Sequence, residues 1–138
     1  MSVIVDTSVW SLAFRRRTAR SPEAEALAGL LEEDDAILLG VIRLELLSGM
    51  PDATQFHTLR DRLRSIPDYP LTVEHYEVAA ESFTACRLRG VQGSHTDFLL
   101  CAVSVLDQIP IFTTDKDFDL FVAHLPIRLF SGGSGEQR

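Results

Sequence analysis

Short apolar runs rich in β-branched residues punctuate a chain that otherwise carries its apolar residues at helical spacing. Ser2-Val3-Ile4-Val5, residues 36–39 and Ile111-Phe112-Thr113 are too brief for helices and present no polar alternate face. Such runs are strands covered on both sides, as in a parallel sheet packed between helices. Between them, Ala24, Leu27, Ala28, Leu30 and Leu31 make one helical stripe, and Phe56, Leu59, Leu63 and Ile66 another. The alternation predicts an α/β domain with a short, mostly parallel central sheet.

Punctuating residues set the boundaries. Asp6-Thr7-Ser8 offers helix caps before a helix over 9–14, and Ser21-Pro22-Glu23 starts a second that runs to Glu33. Further helices are predicted over 41–47 (closed by Ser48-Gly49), 52–66, 73–89 before Gly90, 95–106 after Gly93-Ser94, and 118–122. A last strand is expected over 127–130. A length of 138 residues suits one domain, placed at 1–130. Ser131-Gly132-Gly133-Ser134-Gly135 opens a flexible tail over 131–138.

Charge narrows the partners. Twenty acidic residues against thirteen basic ones give a formal charge of −7, which disfavours a broad cationic face for duplex DNA. A nucleic acid must then find a local basic patch, or metal ions that offset the acids. Arg15, Arg16 and Arg17, with Arg60, Arg62 and Arg64, are the candidates for tracking an RNA backbone; a solvated face explains them equally well. No apolar run approaches the roughly 20 residues of a membrane span, and Asp6 interrupts the first run where a signal peptide needs it to continue. A cytoplasmic protein with no membrane partner is expected. Cys86 and Cys101 sit alone on predicted helices, as buried thiols do, and too sparsely for a zinc site. No Gly-x-Gly-x-x-Gly, Gly-x-x-x-x-Gly-Lys or Gly-x-Ser-x-Gly segment is present.

Four carboxylates stand out by position. Asp6 ends the first strand and Asp115 follows the third; Glu45 and Asp97 are embedded in strongly apolar helices. Each has a plain structural reading: Asp6 and Asp115 as helix caps, Glu45 on a solvated face, Asp97 favouring a helix dipole. Together they are harder to dismiss, because ligands in parallel sheets gather beyond the carboxyl ends of strands. Several carboxylates at one place repel, and a hard dication relieves that repulsion. Such a site suits phosphoryl transfer.

The segments around these acids resemble the PIN-domain family. Val5-Asp6-Thr7-Ser8-Val9-Trp10 resembles its opening motif, and Arg43-Leu44-Glu45-Leu46-Leu47-Ser48-Gly49 its second. Thr96-Asp97-Phe98-Leu99-Leu100-Cys101-Ala102 resembles the third, and Ile111-Phe112-Thr113-Thr114-Asp115-Lys116-Asp117-Phe118 the fourth. Their order, and the chain length, are similar to the VapC group of bacterial toxins. The resemblance implies a three-layer α/β/α fold and a magnesium-dependent endoribonuclease, with manganese able to substitute, that cuts RNA by activated water. It implies Asp6, Glu45, Asp97 and Asp115 as the catalytic and metal-binding quartet, with Asp117 as the substitute for Asp115. Thr7 or Ser8 would orient a ligand or phosphate oxygen. It further implies a homodimer, a VapB-like antitoxin as partner, and transfer RNA as a plausible substrate.

Three other readings compete. A phosphatase-type phosphotransfer protein would use Asp6 as nucleophile, but it wants a second acid two residues on, where Ser8 stands. A metal-free ribonuclease would use two histidines, yet His57, His75, His95 and His124 are scattered. A non-catalytic PIN-like module would only bind RNA or protein, and loses force while all four positions hold acids. Trp10 and Phe14, four apart, fit either core or a partner groove.

Overall fold

The computed structural model describes residues 1–15, 21–131 and 136–137. Its elements run β1 (Val3–Val5), α1 (Thr7–Arg15), α2 (Pro22–Glu32), β2 (Ala36–Ile37), α3 (Gly40–Ser48), α4 (Ala53–Leu63), α5 (Val73–Leu88), α6 (His95–Asp107), β3 (Ile111–Phe112), α7 (Asp117–Val122), β4 (Phe130–Ser131) and β5 (Glu136–Gln137). The strand order β2-β1-β3 is wholly parallel, with Val3 opposite Ala36, and Ile4 opposite both Ile37 and Ile111. This is the expected three-layer α/β/α domain.

Central position explains β1. Val3, Ile4 and Val5 are all buried, since a strand paired on both edges and covered on both faces has no wet side. α6 packs against β1 and β3 and runs alongside α5, while α1 packs against α2 and α3. α6 is apolar on nearly every side, with Phe98 to Val103 buried without interruption. Trp10 is fully buried, stacks on Phe14 at 5.9 Å, and donates from Nε1 to Val5 O at 3.1 Å. Core is therefore the right reading for Trp10. Phe14 is half-buried beneath the Arg62 guanidinium, 4.5 Å from its ring. Cys86 and Cys101 are buried free thiols, both pushed up by burial.

The caps fall where polar residues precede apolar stripes: Ser21 accepts from Ala24 N, Asp52 from Gln55 N, and Ser94 from Asp97 N. Gly90 takes φ +77° just beyond α5, a conformation glycine adopts without penalty. α4 ends three residues before the expected Ile66. There Arg43 gathers the chain, pairing with Asp68 at 2.8 Å and donating to the carbonyls of Leu63 and Ile66.

The last expected strand, over 127–130, is a correction. Leu129 alone bridges β3, in parallel with Ile111, and the regular strand begins at Phe130. From there the backbone changes partner, Phe130–Ser131 pairing antiparallel with Glu136–Gln137 while the Phe130 ring stays on Phe112 of β3 at 5.1 Å. Of the segment expected as a flexible tail, residues 132–135 and 138 lie outside the described residues. Among the described residues no helix is long and apolar enough to cross a membrane.

Candidate active site

Asp6 is the first residue beyond β1, and the ladder still holds it: its amide donates to Phe112 O at 2.9 Å. Its carbonyl accepts from Val9 N and Trp10 N, so α1 starts directly on it. Its Oδ1 takes the Thr7 amide at 2.8 Å, and its Oδ2 takes the hydroxyls of Ser8 (3.0 Å) and Thr113 (2.8 Å). Both hydroxyl protons are committed to Asp6. The two oxygens accept in turn from backbone, Ser8 from Thr114 N and Thr113 from Asp115 N. The plain capping reading is thus only part of the truth. Asp6 caps α1 with one oxygen and gathers two hydroxyls with the other. It is only 5% exposed, and burial lifts its carboxyl above the ordinary value despite these three donors, with the Asp115 charge adding to the rise.

Asp97 stands in the first turn of α6. It forms a reciprocal cap with Ser94, whose amide donates to Asp97 Oδ2 at 2.9 Å. Partial burial raises its carboxyl, and the charges of Asp6 and Asp115 raise it further against the lowering effect of the Ser94 bonds. Hydrogen bonds set the three along one edge: Thr113 joins Asp6 to the Asp115 amide, and Glu45 joins Thr7 and Thr96, the neighbours of Asp6 and Asp97. Asp115 follows β3; its Oδ1 accepts from the Asp117 amide at 2.9 Å and so starts α7. Asp117 is exposed at that helix start, as is Asp119 two residues on.

Glu45 reaches the same edge from α3. Its Oε1 accepts from Thr7 Oγ1 at 2.8 Å and its Oε2 from Thr96 Oγ1 at 2.7 Å. The residues that follow Asp6 and precede Asp97 are therefore joined through one carboxylate. Thr7 and Ser8 both lie beside the acids, and their hydroxyls are engaged by Glu45 and Asp6. Arg15 closes α1, and Arg16 lies outside the described residues. Arg60 pairs with Asp61, next to it in the chain.

Sequence reasoning passed over two of these side chains as functional residues. Thr113 was assigned to a strand, and its signal was a hydroxyl at the carboxyl end of β3, two residues before an acid. Thr96 stood inside a motif without a role, and no local signal points it at a residue 51 positions away. The histidines do not meet as acid and base: His75 bonds Asp107, and His95 lies against Phe83.

The donor set is entirely oxygen, which suits a hard dication over zinc. The like charges on Asp6, Asp97 and Asp115 are a burden such an ion would lift. As arranged, the acids adjoin without converging. Among the described residues, no three His, Cys, Asp or Glu side chains form a group ready to hold a metal ion. In this arrangement Asp97 Oδ2 accepts from Ser94 N, Asp115 Oδ1 from Asp117 N, and both Glu45 oxygens from threonine hydroxyls.

Fold and site together define a class: one parallel sheet wrapped in helices, with carboxylates from four separate segments along its carboxyl edge. The sequence model of the PIN domain matches residues 3–122, and the chain belongs to that family. PIN domains are generally nucleases. No curated protein matches the chain. Several solved structures share the fold. FitAcB from Neisseria gonorrhoeae superposes with a TM-score of 0.66 at 17% identity, over 88% of this chain and 93% of that one. VapBC2 from Rickettsia felis, bound to a DNA fragment from their promoter, gives 0.67 at 14% identity, over 87% and 92%. A toxin–antitoxin complex from Klebsiella pneumoniae gives 0.63 at 16% identity, over 85% and 90%.

Proposed function

We propose that this protein is a magnesium-dependent endoribonuclease, the toxin of a toxin–antitoxin pair, restrained by a VapB-like antitoxin. The observation that carries the reading is the joining of Asp6, Glu45, Asp97 and Asp115 at the carboxyl edge of the sheet, through Thr7, Thr96, Ser8 and Thr113. The toxin–antitoxin complex from Klebsiella pneumoniae and VapBC2 from Rickettsia felis, which share the fold, support the biological role.

In this reading Asp6, Asp97, Glu45 and Asp115 would form the quartet that holds magnesium or manganese, with Asp117 as the substitute for Asp115. The bound ion supplies positive potential for the phosphate and lowers the pKa of a water. The chain's own part is placement. Three donors fix Asp6 in one orientation, and the starts of α1 and α6 favour negative charge at the same edge. Thr7 and Ser8 give their hydroxyl protons to Glu45 and Asp6, so their part is to orient the acids that would ligate the ion, and Arg15 and Arg16 are the proposed contacts to an RNA backbone. Transfer RNA is the proposed substrate and a cytoplasmic homodimer the proposed form. Phosphatase-type attack by Asp6 is disfavoured, because both of its oxygens already accept hydrogen bonds in a buried setting.

The test is RNA cleavage by purified protein free of host nuclease. Asp6→Asn and Asp97→Asn should abolish cleavage with the fold intact. EDTA should stop the parent protein, and magnesium or manganese should restore it. Full cleavage by both variants, or undiminished cleavage after chelation, rejects the assignment.

A further inference from the structure

Glu45 is exposed on α3, yet each of its carboxylate oxygens is met by a hydroxyl from a different element. Thr7 is the first residue of α1 and follows Asp6; Thr96 is in the first turn of α6 and precedes Asp97. A threonine hydroxyl has one proton to give, and here both protons go to Glu45. Thr96 is 8% exposed, so its hydroxyl is held by packing as well as by the bond. The path Asp6–Thr7–Glu45–Thr96–Asp97 thus consists of two peptide linkages and two short hydrogen bonds to an ionisable acceptor.

We infer that Thr96 is a positioning residue: through Glu45 it fixes the separation of Asp6 and Asp97, and Glu45 works as a strut between two helix starts. This rests on the proposed metal-dependent cleavage, and it adds a role for a residue that touches neither phosphate nor reacting water. Losing the strut removes the hydrogen-bonded tie between the two helix starts and leaves the first turn of α6 placed by the packing of Thr96 and Phe98 and by the Ser94 cap, without a link to Asp6 through Glu45. Misplacement on the ångström scale is costly at a reacting centre, up to about a hundredfold in rate.

The experiment compares Thr96→Val, which keeps the shape and removes the donor, with Thr96→Ser, which keeps the donor. Thr96→Ala serves as a second donor-free variant should valine pack badly. Each is measured for RNA cleavage and, separately, for manganese binding by calorimetry on the full chain. The expected result is a kcat lower by about tenfold or more for valine and alanine, with KM for RNA nearly unchanged. Manganese should bind them with weaker affinity at unaltered stoichiometry, and serine should restore both quantities. A purely structural lesion would instead lower the stoichiometry, because part of the protein would be inactive. Parental kcat and parental manganese affinity in the donor-free variants overturn the inference. If the parent protein itself fails to cleave RNA, the functional reading falls, and the manganese isotherms still decide whether Thr96 sets the acid spacing.

Discussion

Asp6 keeps a carboxylate where burial opposes its charge. Three donors and the start of α1 work in its favour, and burial still prevails. The sign of the consequence follows from linkage. A carboxyl whose folded pKa lies above its ordinary 3.8 costs stability at neutral pH, and the cost is relieved as pH falls through the folded value towards 3.8. Asparagine has no charge to desolvate, and it can accept the Thr7 amide while the Ser8 and Thr113 hydroxyls turn to accept from its amide. Asp6→Asn should therefore melt at a higher temperature than the parent at pH 7 in metal-free buffer, while being inactive. Its advantage should shrink as pH approaches 3.8, because only the parent gains a proton there. Thermal melts of both proteins between pH 7 and pH 4 check this; a lower midpoint for asparagine at pH 7 would mean that the three hydrogen bonds outweigh burial. A function that costs stability at its own site is a common trade.

At the scale of elements, the parts that position the acids were legible where local chemistry encodes them. A β-branched run ending in Asp6, the cap at Ser94 and the strand before Asp115 are patterns within a few residues of one another. The change of partner from β3 at Leu129 to β5 at Phe130 was not legible in that way, because both pairings are between backbones and leave no side-chain pattern. Gly93 shows an element boundary acting on the site. Its backbone approaches so closely that an added Cβ would lie 2.6 Å from Phe121 Cζ, 3.0 Å from Phe98 Cε2 and 3.2 Å from Asp97 Oδ2. Both rings are buried, and Phe98 and Phe121 stand 4.9 Å apart between centroids, so neither has room to retreat. Gly93→Ala should cost about 1–3 kcal/mol through overpacking, read as a lower urea midpoint at unchanged slope. It should also lower cleavage beyond what the loss of folded protein explains, since Asp97 lies in the path of the new methyl. An unchanged midpoint would show that the α5–α6 connection yields instead.

Across the whole molecule, the long-range bonds are what the sequence concealed. Thr7 to Glu45, Thr96 to Glu45 and Thr113 to Asp6 span 38, 51 and 107 positions, and hydroxyl partners leave no periodic trace. The same holds for the cluster that ties the far side of the domain. Asp107, at the end of α6, accepts through Oδ2 from Tyr69 at 2.6 Å and bonds His75 Nε2 at 2.7 Å. The Thr72 amide can only donate, and it meets His75 Nδ1 at 3.0 Å, so the proton belongs on Nε2 and points at Asp107. Burial alone would raise the Asp107 carboxyl, but the Tyr69 and His75 bonds carry it below 3.8, and the Tyr69 hydroxyl is pushed up to about 12 by its own burial and by Asp107. A carboxyl lowered on folding contributes stability that is whole above 3.8 and is lost as pH falls through the folded value. Asp107→Asn should thus cost about 1 kcal/mol at pH 7, the part of two charge-assisted bonds that a neutral acceptor forfeits. Below pH 3.8 the gap between parent and variant should close, because the parent surrenders what the variant never had. This closing occurs below 3.8, whereas the Asp6→Asn gap closes on the approach to 3.8 from above, so urea denaturation across both windows separates the two carboxyls. A gap that stays constant down to pH 3 would show that Asp107 acts through shape and not through charge.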